Sequence, residues 1–435
     1  MKNTFKKALT LIVLVFSYFS AYSQEDFDIN IQYVEKQLKA LSSDELRGRK
    51  VFSEGIEKAA NIIADDFKDT GLSYLPGLSS YRQEFVIYSM SLAEINISIA
   101  GKTIEQQNTF GLFNQTEITW TQESGIEITS ITNEQNFQES FSKVQGTDKS
   151  TIVLVDKAHE VIFNRYQQYF SRGGIKFEKD KGSSTVYILT DNLSPEKYAI
   201  NILNTYEEKS LANVGGMIEG NRKDEIVLFS AHYDHIGIQK EVDGDSIANG
   251  ANDDASGTTA VMALAKYFKE KGKPERSIYF VAFTAEEVGG YGSQYFSKQL
   301  NPDQIVAMFN IEMIGKPAVE GPNTAWITGF ERSSFGELLQ KSVEGTAYKF
   351  YADPYPTQNL FYRSDNATLA RLGVPAHSIS TTPIDVDKDY HQVSDEFETI
   401  DTTHMTNTIK AIAAAAEGIV SGKDTPTRVD KSSVD

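Results

Sequence analysis

Three apolar runs decide the fold class of this chain: EIVLFSA at residues 225–231, SIYFVAF at 277–283 and IVAMFNI at 305–311. Short runs with apolar residues on both faces are typical of strands in a buried parallel sheet. Apolar residues recur with helical spacing over 261–268, and a second helix is predicted at 291–300. Because parallel strands need such crossover connections, the pattern predicts an α/β fold.

Imidazole and carboxylate side chains follow the carboxyl end of each predicted strand. They are His232, Asp234, Asp253, Asp254, Glu286, Glu287 and Glu312. Since the carboxyl ends of parallel strands share one edge of a sheet, we expect these groups to converge. A histidine with several carboxylates suits zinc, manganese or cobalt, so the sequence predicts a metal site. Each group taken singly also has a simpler explanation. The aspartate pair could be no more than a helix cap, the glutamate pair could be no more than a solvated turn, and the histidine could be structural.

Five motifs occur in order along the chain: AHYDHIG (231–237), GANDDASG (250–257), FTAEEVG (283–289), NIEMIG (310–315) and DYHQVSD (389–395). Together they resemble the M28 family of zinc peptidases, which includes secreted aminopeptidases, glutamate carboxypeptidases and, as relatives, glutaminyl cyclases. The resemblance covers roughly residues 31–75 and 212–421. It implies a three-layer α/β/α sandwich with a mixed, largely parallel central sheet.

The resemblance also implies a site for two zinc ions that share one carboxylate. By position in the motifs, Asp253 is the shared ligand. His232 and Glu312 would complete one metal site, and Glu287 and His391 would complete the other.

Three further residues take roles from the same motifs. Glu286 is expected to be the general base that acts on a water bridging the metals. Asp234, two residues after His232, is expected to orient that histidine. Tyr390 is expected to help hold the tetrahedral oxyanion.

The chain departs from the family pattern at two places. Glu312 stands where the best-known aminopeptidases have Asp, and 364–366 reads Ser-Asp-Asn where Ser-Asp-His is frequent. The Pro- and Tyr-rich segment 353–363 is expected to form a pocket wall. His235 and His377 are expected to support the site or the core rather than to bind metal.

The domain organisation is predicted to be discontinuous. A catalytic domain would comprise residues 24–75 and 205–421, interrupted by an inserted β-rich domain at 76–204. Alternating runs within the insertion predict half-buried, mostly antiparallel strands. The polar segment 422–435 is expected to be a disordered tail.

Composition argues against several partners. The formal net charge of −18 over 435 residues disfavours nucleic acid and anionic membranes. Met1–Ser23 has a lysine-rich start, an apolar run too short to span a bilayer and a small-x-small end, which predict a signal peptide. We therefore expect a secreted or periplasmic protein that is free of the membrane after cleavage. The sequence contains no cysteine, so disulfides are excluded.

These observations predict a secreted, two-zinc aminopeptidase that hydrolyses peptides at their amino termini. A glutaminyl cyclase-like transferase or a carboxypeptidase on the same scaffold remains an alternative, and a catalytically dead binding ectodomain is a third class. The presence of all five ligands disfavours the cyclase and the dead ectodomain. The preferred terminal residue and the oligomeric state are left open.

Overall fold

A computed structural model describes residues 28–434. The predicted signal peptide, Met1–Ser23, lies outside the described residues. Within the described range, no helix combines the length and the apolarity needed to cross a membrane.

Nine α-helices occur in the described chain. They are α1 (Ile31–Leu41), α2 (Glu54–Thr70), α3 (Phe137–Gln145), α4 (Glu160–Phe170), α5 (Gly257–Glu270), α6 (Tyr291–Ser297), α7 (Phe335–Ser342), α8 (Asn366–Ala370) and α9 (Thr402–Val420). Eighteen strands occur in the same residues. They are β1 (Ser73–Tyr74), β2 (Arg82–Ile99), β3 (Lys102–Ile104), β4 (Thr109–Leu112), β5 (Glu117–Thr121), β6 (Glu127–Ile131), β7 (Thr151–Val155), β8 (Gly174–Lys176), β9 (Thr185–Leu189), β10 (Tyr198–Ile218), β11 (Arg222–His232), β12 (Gly237–Val242), β13 (Asp245–Ala248), β14 (Arg276–Phe283), β15 (Ile305–Ile311), β16 (Thr324–Ile327), β17 (Lys349–Ala352) and β18 (Ala376–Ser380).

The central sheet is mixed, as predicted, and its parallel pairs lie at the centre, whereas β10, β2 and β3 pair antiparallel at one end. Its main strand order is β17-β16-β18-β15-β11-β14-β10-β2-β3. Strand β11 pairs in parallel with both β14 and β15, and β15 pairs in parallel with β18. The three apolar runs therefore lie side by side at the centre, so their carboxyl ends share one edge.

Both faces of this sheet are buried under helices. Val227 and Phe229 of β11 pack with α1, α2, α5 and α9 on one face. Ile226 and Leu228 point to the other face and pack with α6 and α8. Alternate side chains of a strand point to opposite faces, so a strand buried on both sides reads as a continuous apolar run. The expected three-layer α/β/α arrangement is confirmed.

The insertion grows out of the central sheet. Strands β2 and β10, of 18 and 21 residues, pair antiparallel along their length and continue from the central sheet into the insertion. A second sheet there has the order β4-β9-β7-β6. Within it β6, β7 and β9 are parallel and are joined through α3 and α4. Antiparallel strands were expected, whereas this small α/β unit was not.

The segment that follows α9, residues 422–434, packs against the catalytic domain and is not the disordered tail that was predicted. Val429 is buried, and its backbone N–H donates to the Gly373 carbonyl at 3.2 Å. The Arg428 guanidinium donates to the Ile305 carbonyl at 2.7 Å. A polar composition disfavours a self-sufficient core, but this segment instead donates from a side chain and from its backbone to main-chain carbonyls of Ile305 and Gly373.

A buried arginine joins the loops at the carboxyl edge of the sheet. Arg49 is 1 % exposed and donates to main-chain carbonyls of 41, 233, 249 and 250. The Tyr233 carbonyl accepts from Nε at 2.8 Å, and the Gly250 carbonyl accepts from Nη2 at 2.9 Å. The Tyr233 carbonyl lies in the loop that follows β11, and the Gly250 carbonyl lies in the loop that precedes α5. One side chain therefore fixes the spacing of the two loops.

We expect Arg49→Met to destabilise the fold by about 3–5 kcal/mol, because several buried carbonyls would lose their donors. Urea denaturation followed by circular dichroism measures this change. Arg47→Met is the matched control, since Arg47 is exposed two residues away and shares a positive φ with Arg49. Equal midpoints for the two variants would contradict the role given to Arg49.

Candidate active site

The predicted site residues converge at the carboxyl edge of the central sheet. His232 is the last residue of β11, and Asp253 lies in the turn 251–256 that leads into α5. Glu287 follows β14, and Glu312 follows β15 directly. His391 comes from the loop before α9, and its φ of 57° is in the left-handed region. Residues far apart in the sequence therefore meet because their strands are neighbours.

A first group of ligand atoms surrounds one oxygen of Asp253. His232 Nε2 lies 3.2 Å from Asp253 Oδ1 and 3.2 Å from Glu312 Oε1. All three side chains offer a nitrogen or oxygen within 4.8 Å of one another. The longer side chain of Glu312 thus reaches the position expected of the usual aspartate.

A second group surrounds the other oxygen of the same carboxylate. His391 Nε2 lies 3.2 Å from Asp253 Oδ2 and 3.2 Å from Glu287 Oε2. His235 Nδ1 also lies 2.8 Å from Glu287 Oε1 and 3.8 Å from Asp253 Oδ2. His235, expected to play a supporting part, therefore contacts a candidate ligand directly. Asp253 faces both groups with one oxygen each.

The spacing and chemistry of these atoms fit zinc. Ligands held about 2.0–2.2 Å from a tetrahedral ion lie about 3.3 Å apart, which is close to the separations of 3.2 Å found in both groups. Neutral imidazole and carboxylate are ligands that zinc accepts. Burial opposes protonation of His232, but Glu312 and Asp253 outweigh it and raise its pKa well above the usual range. The cluster thus favours a bound positive charge, which a metal ion would supply in place of protons.

Neighbouring groups hold the candidate ligands in place. Asp395 accepts from the backbone N–H groups of Asn252 and Asp253, at 2.9 and 3.0 Å. The Ser364 hydroxyl donates to Glu312 Oε2 at 2.6 Å, so it orients the oxygen that faces away from His232. Ser364 belongs to the segment where the chain departs from the family pattern, and its contact with the third-strand acid was not predicted.

Asp234 makes a different contact from the predicted one. Its carboxylate accepts from the backbone N–H groups of Glu286 and Glu287, at 3.0 and 3.3 Å. The ring nitrogen Nδ1 of His232 lies 3.8 Å from that carboxylate but 3.1 Å from the Asp234 main-chain carbonyl. The carbonyl therefore orients His232, and the carboxylate fixes the turn that carries the two glutamates. Two-residue spacing in the sequence did not distinguish these contacts.

Glu286 and Tyr390 both line the cleft beside the ligand atoms. Burial, reinforced by Glu312 and Asp365, raises the pKa of Glu286 well above its ordinary value. The Tyr390 ring stacks on His391 with centroids 4.0 Å apart, and its hydroxyl accepts from Arg363 at 3.4 Å. Both residues can therefore reach a ligand in the cleft.

The cleft is small and has one apolar wall. Its volume is about 60 Å³. Met313, Trp326, Leu360 and Ile384 form the apolar side, and the metal-ligand cluster forms the opposite side. Leu360 and Arg363 come from the segment 353–363 that was expected to be a pocket wall. Such a space suits one side chain rather than an extended chain.

His377 is buried away from the ligand atoms. Its Nε2 lies 2.7 Å from the Ser333 hydroxyl, and its Nδ1 lies 2.8 Å from the Thr328 carbonyl. Burial lowers the pKa of His377 to about 4, so it is neutral near pH 7. These contacts agree with the expected structural role.

The family model and the similar proteins point to the same family. The model of peptidase family M28 matches residues 213–416. Leucine aminopeptidase 2 of Trichophyton rubrum is 27% identical over 317 residues, which is 66% of this chain and 58% of that protein. This chain therefore spans somewhat more than half the length of that relative. Aminopeptidase YwaD of Bacillus subtilis is 27% identical over 158 residues, 35% of this chain and 30% of that protein.

Two solved structures share the fold. An aminopeptidase from Aneurinibacillus sp. strain AM-1 has a TM-score of 0.53 at 18% identity, covering 94% of this chain and 96% of its own. BSAP, a zinc aminopeptidase from Bacillus subtilis, has a TM-score of 0.55 at 18% identity, covering 91% of this chain and 96% of its own. At such identities the likeness shows the fold, including the insertion within the aligned length.

We expect Glu312→Ala to lower the zinc bound per chain from two ions towards one, because the first ligand group would lose one of its three side chains. Native mass spectrometry after zinc loading measures the stoichiometry. Glu331→Ala, which removes an exposed carboxylate outside the cleft, is the control and should retain two ions. Two ions bound with unchanged affinity in Glu312→Ala would show that Glu312 is not a ligand.

Proposed function

Because this chain belongs to peptidase family M28, we propose that it is a zinc-dependent aminopeptidase that releases apolar residues from the amino termini of peptides. The observation that carries the proposal is the shared carboxylate: Asp253 lies 3.2 Å from the imidazole of His232 with one oxygen and 3.2 Å from that of His391 with the other. Two cations bridged in this way suit hydrolysis of a peptide bond.

His232, Asp253 and Glu312 would hold one zinc ion, and Asp253, Glu287 and His391 would hold the second. When bound, the ions supply Lewis acidity to the scissile carbonyl and lower the pKa of a water. Asp395 and Ser364 support this arrangement, because they hold Asp253 and Glu312 in position before any ion binds. A preformed set of ligands reduces the reorganisation that metal binding would otherwise require.

Glu286 is the proposed general base. It sits beside Glu287 on a turn fixed by the Asp234 carboxylate, and its side chain lines the cleft. Its carboxylate would take a proton from the attacking water and pass it to the nitrogen of the leaving amine. The rigid turn serves this step because it keeps the base at a constant distance from the cleft.

Tyr390 is the proposed donor to the oxyanion. Its hydroxyl accepts from the Arg363 guanidinium at 3.4 Å, which leaves its own proton free to point into the cleft. A hydroxyl supported by a cation is a better donor to a developing negative charge. Stacking on His391 fixes the ring, so the donor is preorganised.

The cleft supports release of single residues. Its volume of about 60 Å³ and its apolar side, formed by Met313, Trp326, Leu360 and Ile384, suit one apolar side chain beside the candidate ligands. A chain that continued past this wall would have no space, which favours an exopeptidase over an endopeptidase.

A carboxypeptidase is the second candidate, and Arg363 is the observation that favours it. Its guanidinium lines the same cleft, where it could bind a terminal carboxylate.

We also propose export of the protein, which the lysine-rich, apolar pattern of Met1–Ser23 supports.

A panel of blocked peptides separates the two candidates. We expect a C-amidated leucyl tetrapeptide to be cleaved and its N-acetylated acid counterpart to resist, because an aminopeptidase requires the free amine. The released residue is identified by liquid chromatography and mass spectrometry. Cleavage of the N-acetylated acid alone would establish a carboxypeptidase, and turnover that survives exhaustive chelation would contradict a metal-dependent mechanism.

We expect Glu286→Gln to lower kcat by ~10²–10⁴-fold, because the amide cannot accept the proton of the attacking water. Zinc content and the thermal unfolding midpoint should remain at the native values. Glu331→Gln, an exposed carboxylate outside the cleft, is the matched control. Near-native turnover by Glu286→Gln would remove Glu286 from the mechanism.

A further inference from the structure

A second, larger cavity lies between the insertion and the candidate active site. Its volume is about 650 Å³, roughly ten times that of the cleft. One wall is formed by the insertion, from β2, β4, α4 and the segment 171–176. The opposite wall is formed by residues 287–289, in the loop after β14, and by Tyr291 at the start of α6. We call this cavity the insertion groove.

The walls of the insertion groove are largely apolar. Met90, Phe110, Phe113 and Phe170 line it from the insertion, and Val288 lines it from the catalytic side. Val288 is 37 % exposed and directly follows the candidate ligand Glu287. Backbone groups of an extended chain could pass over such walls while alternate side chains fill them.

Contacts across one end of the groove hold its two walls together. The Tyr291 hydroxyl donates to the Ile175 carbonyl, which joins α6 to β8. The Phe177 ring lies 5.1 Å from the Tyr291 ring, and Lys298 lies 4.2 Å from the centre of Phe177. The groove is therefore a preformed space rather than a loose gap between units.

Two cations line the groove in an otherwise acidic protein. Arg172 is exposed, and Lys176 is partly buried. Lys176 donates to the Asn114 side-chain oxygen, and burial lowers its pKa with no carboxylate contributing. Two basic side chains in a largely apolar groove would suit an anionic group on a ligand.

The groove and the cleft of the candidate active site share one lining residue. Glu287 lines both the groove and the cleft. A peptide bond placed beside Glu287 would therefore have the cleft on one side and the groove on the other. The cleft has room for a single side chain, so the remainder of a peptide must leave in the other direction.

We propose that the insertion groove binds the peptide on the leaving-group side of the scissile bond and that Arg172 and Lys176 select an acidic side chain or a free terminal carboxylate there. This inference rests on the proposed aminopeptidase function for its orientation. It assigns the insertion a direct part in substrate choice. Longer acidic peptides would then be bound more tightly than single-residue amides.

Binding of a reaction product tests the groove without requiring turnover. The probe is the tripeptide alanyl-phenylalanyl-glutamate, compared with the neutral alanyl-phenylalanyl-glutamine amide, by isothermal titration to the full chain loaded with zinc. Arg172→Glu is the test variant. Arg165→Glu is the matched control, since Arg165 is exposed on α4, seven residues before Arg172, and lies outside the groove.

We expect the acidic tripeptide to bind the native protein at least about threefold more tightly than the neutral amide, and Arg172→Glu to abolish that preference while Arg165→Glu retains it. Equal affinities for both tripeptides, or equal effects of the two variants, would overturn the proposal. If no peptide substrate is cleaved but the preference and its loss are observed, the proposed function fails and the groove remains an acidic-peptide site.

Discussion

Burial of carboxylates at one edge of the central sheet is the constraint on which the remaining structure depends. Asp234, Asp253, Asp254, Asp365 and Asp395 are each at most 2 % exposed. Carboxylates placed together in this way cannot all stay ionised unless cations or hydrogen-bond donors neutralise them. Arg49 supplies one fixed positive charge near four of them, and backbone N–H groups donate to three, which are Asp234, Asp254 and Asp395. The side of Asp253 that faces the histidines has imidazoles as its neighbours rather than a permanent cation like Arg49, and divalent ions would supply the positive charge there.

The sequence predicted the parts of the fold that depend on burial of single elements. The runs at 225–231, 277–283 and 305–311 form adjacent strands, and their apolar residues on both faces suit burial between two layers of helices. The parallel pairing of β6, β7 and β9 was missed, since periodicity reports burial and not the partner of a strand. The packing of residues 422–434 after α9 was not predicted, because contacts such as that of the Arg428 guanidinium with the Ile305 carbonyl join polar groups to distant parts of the chain.

For the candidate site, too, the sequence predicted some features and missed others. The motifs placed His232, Asp253, Glu287, Glu312 and His391 on loops that the fold does bring together. They did not show that the Asp234 carboxylate holds a turn rather than an imidazole, or that Ser364 holds Glu312. Such contacts depend on differences of about 1 Å between atoms of neighbouring loops, which spacing along a chain does not encode. The insertion groove was not predicted either, because its two walls come from segments more than one hundred residues apart in the sequence.

Anomalous diffraction from zinc-loaded crystals, recorded on both sides of the zinc absorption edge, tests the central claim most directly. The account predicts two peaks per chain, each about 2.0–2.2 Å from a different oxygen of Asp253. One peak should lie beside His232 and Glu312, and the other should lie beside Glu287 and His391. A single peak, or two peaks that do not share Asp253, would contradict a two-zinc centre bridged by this carboxylate.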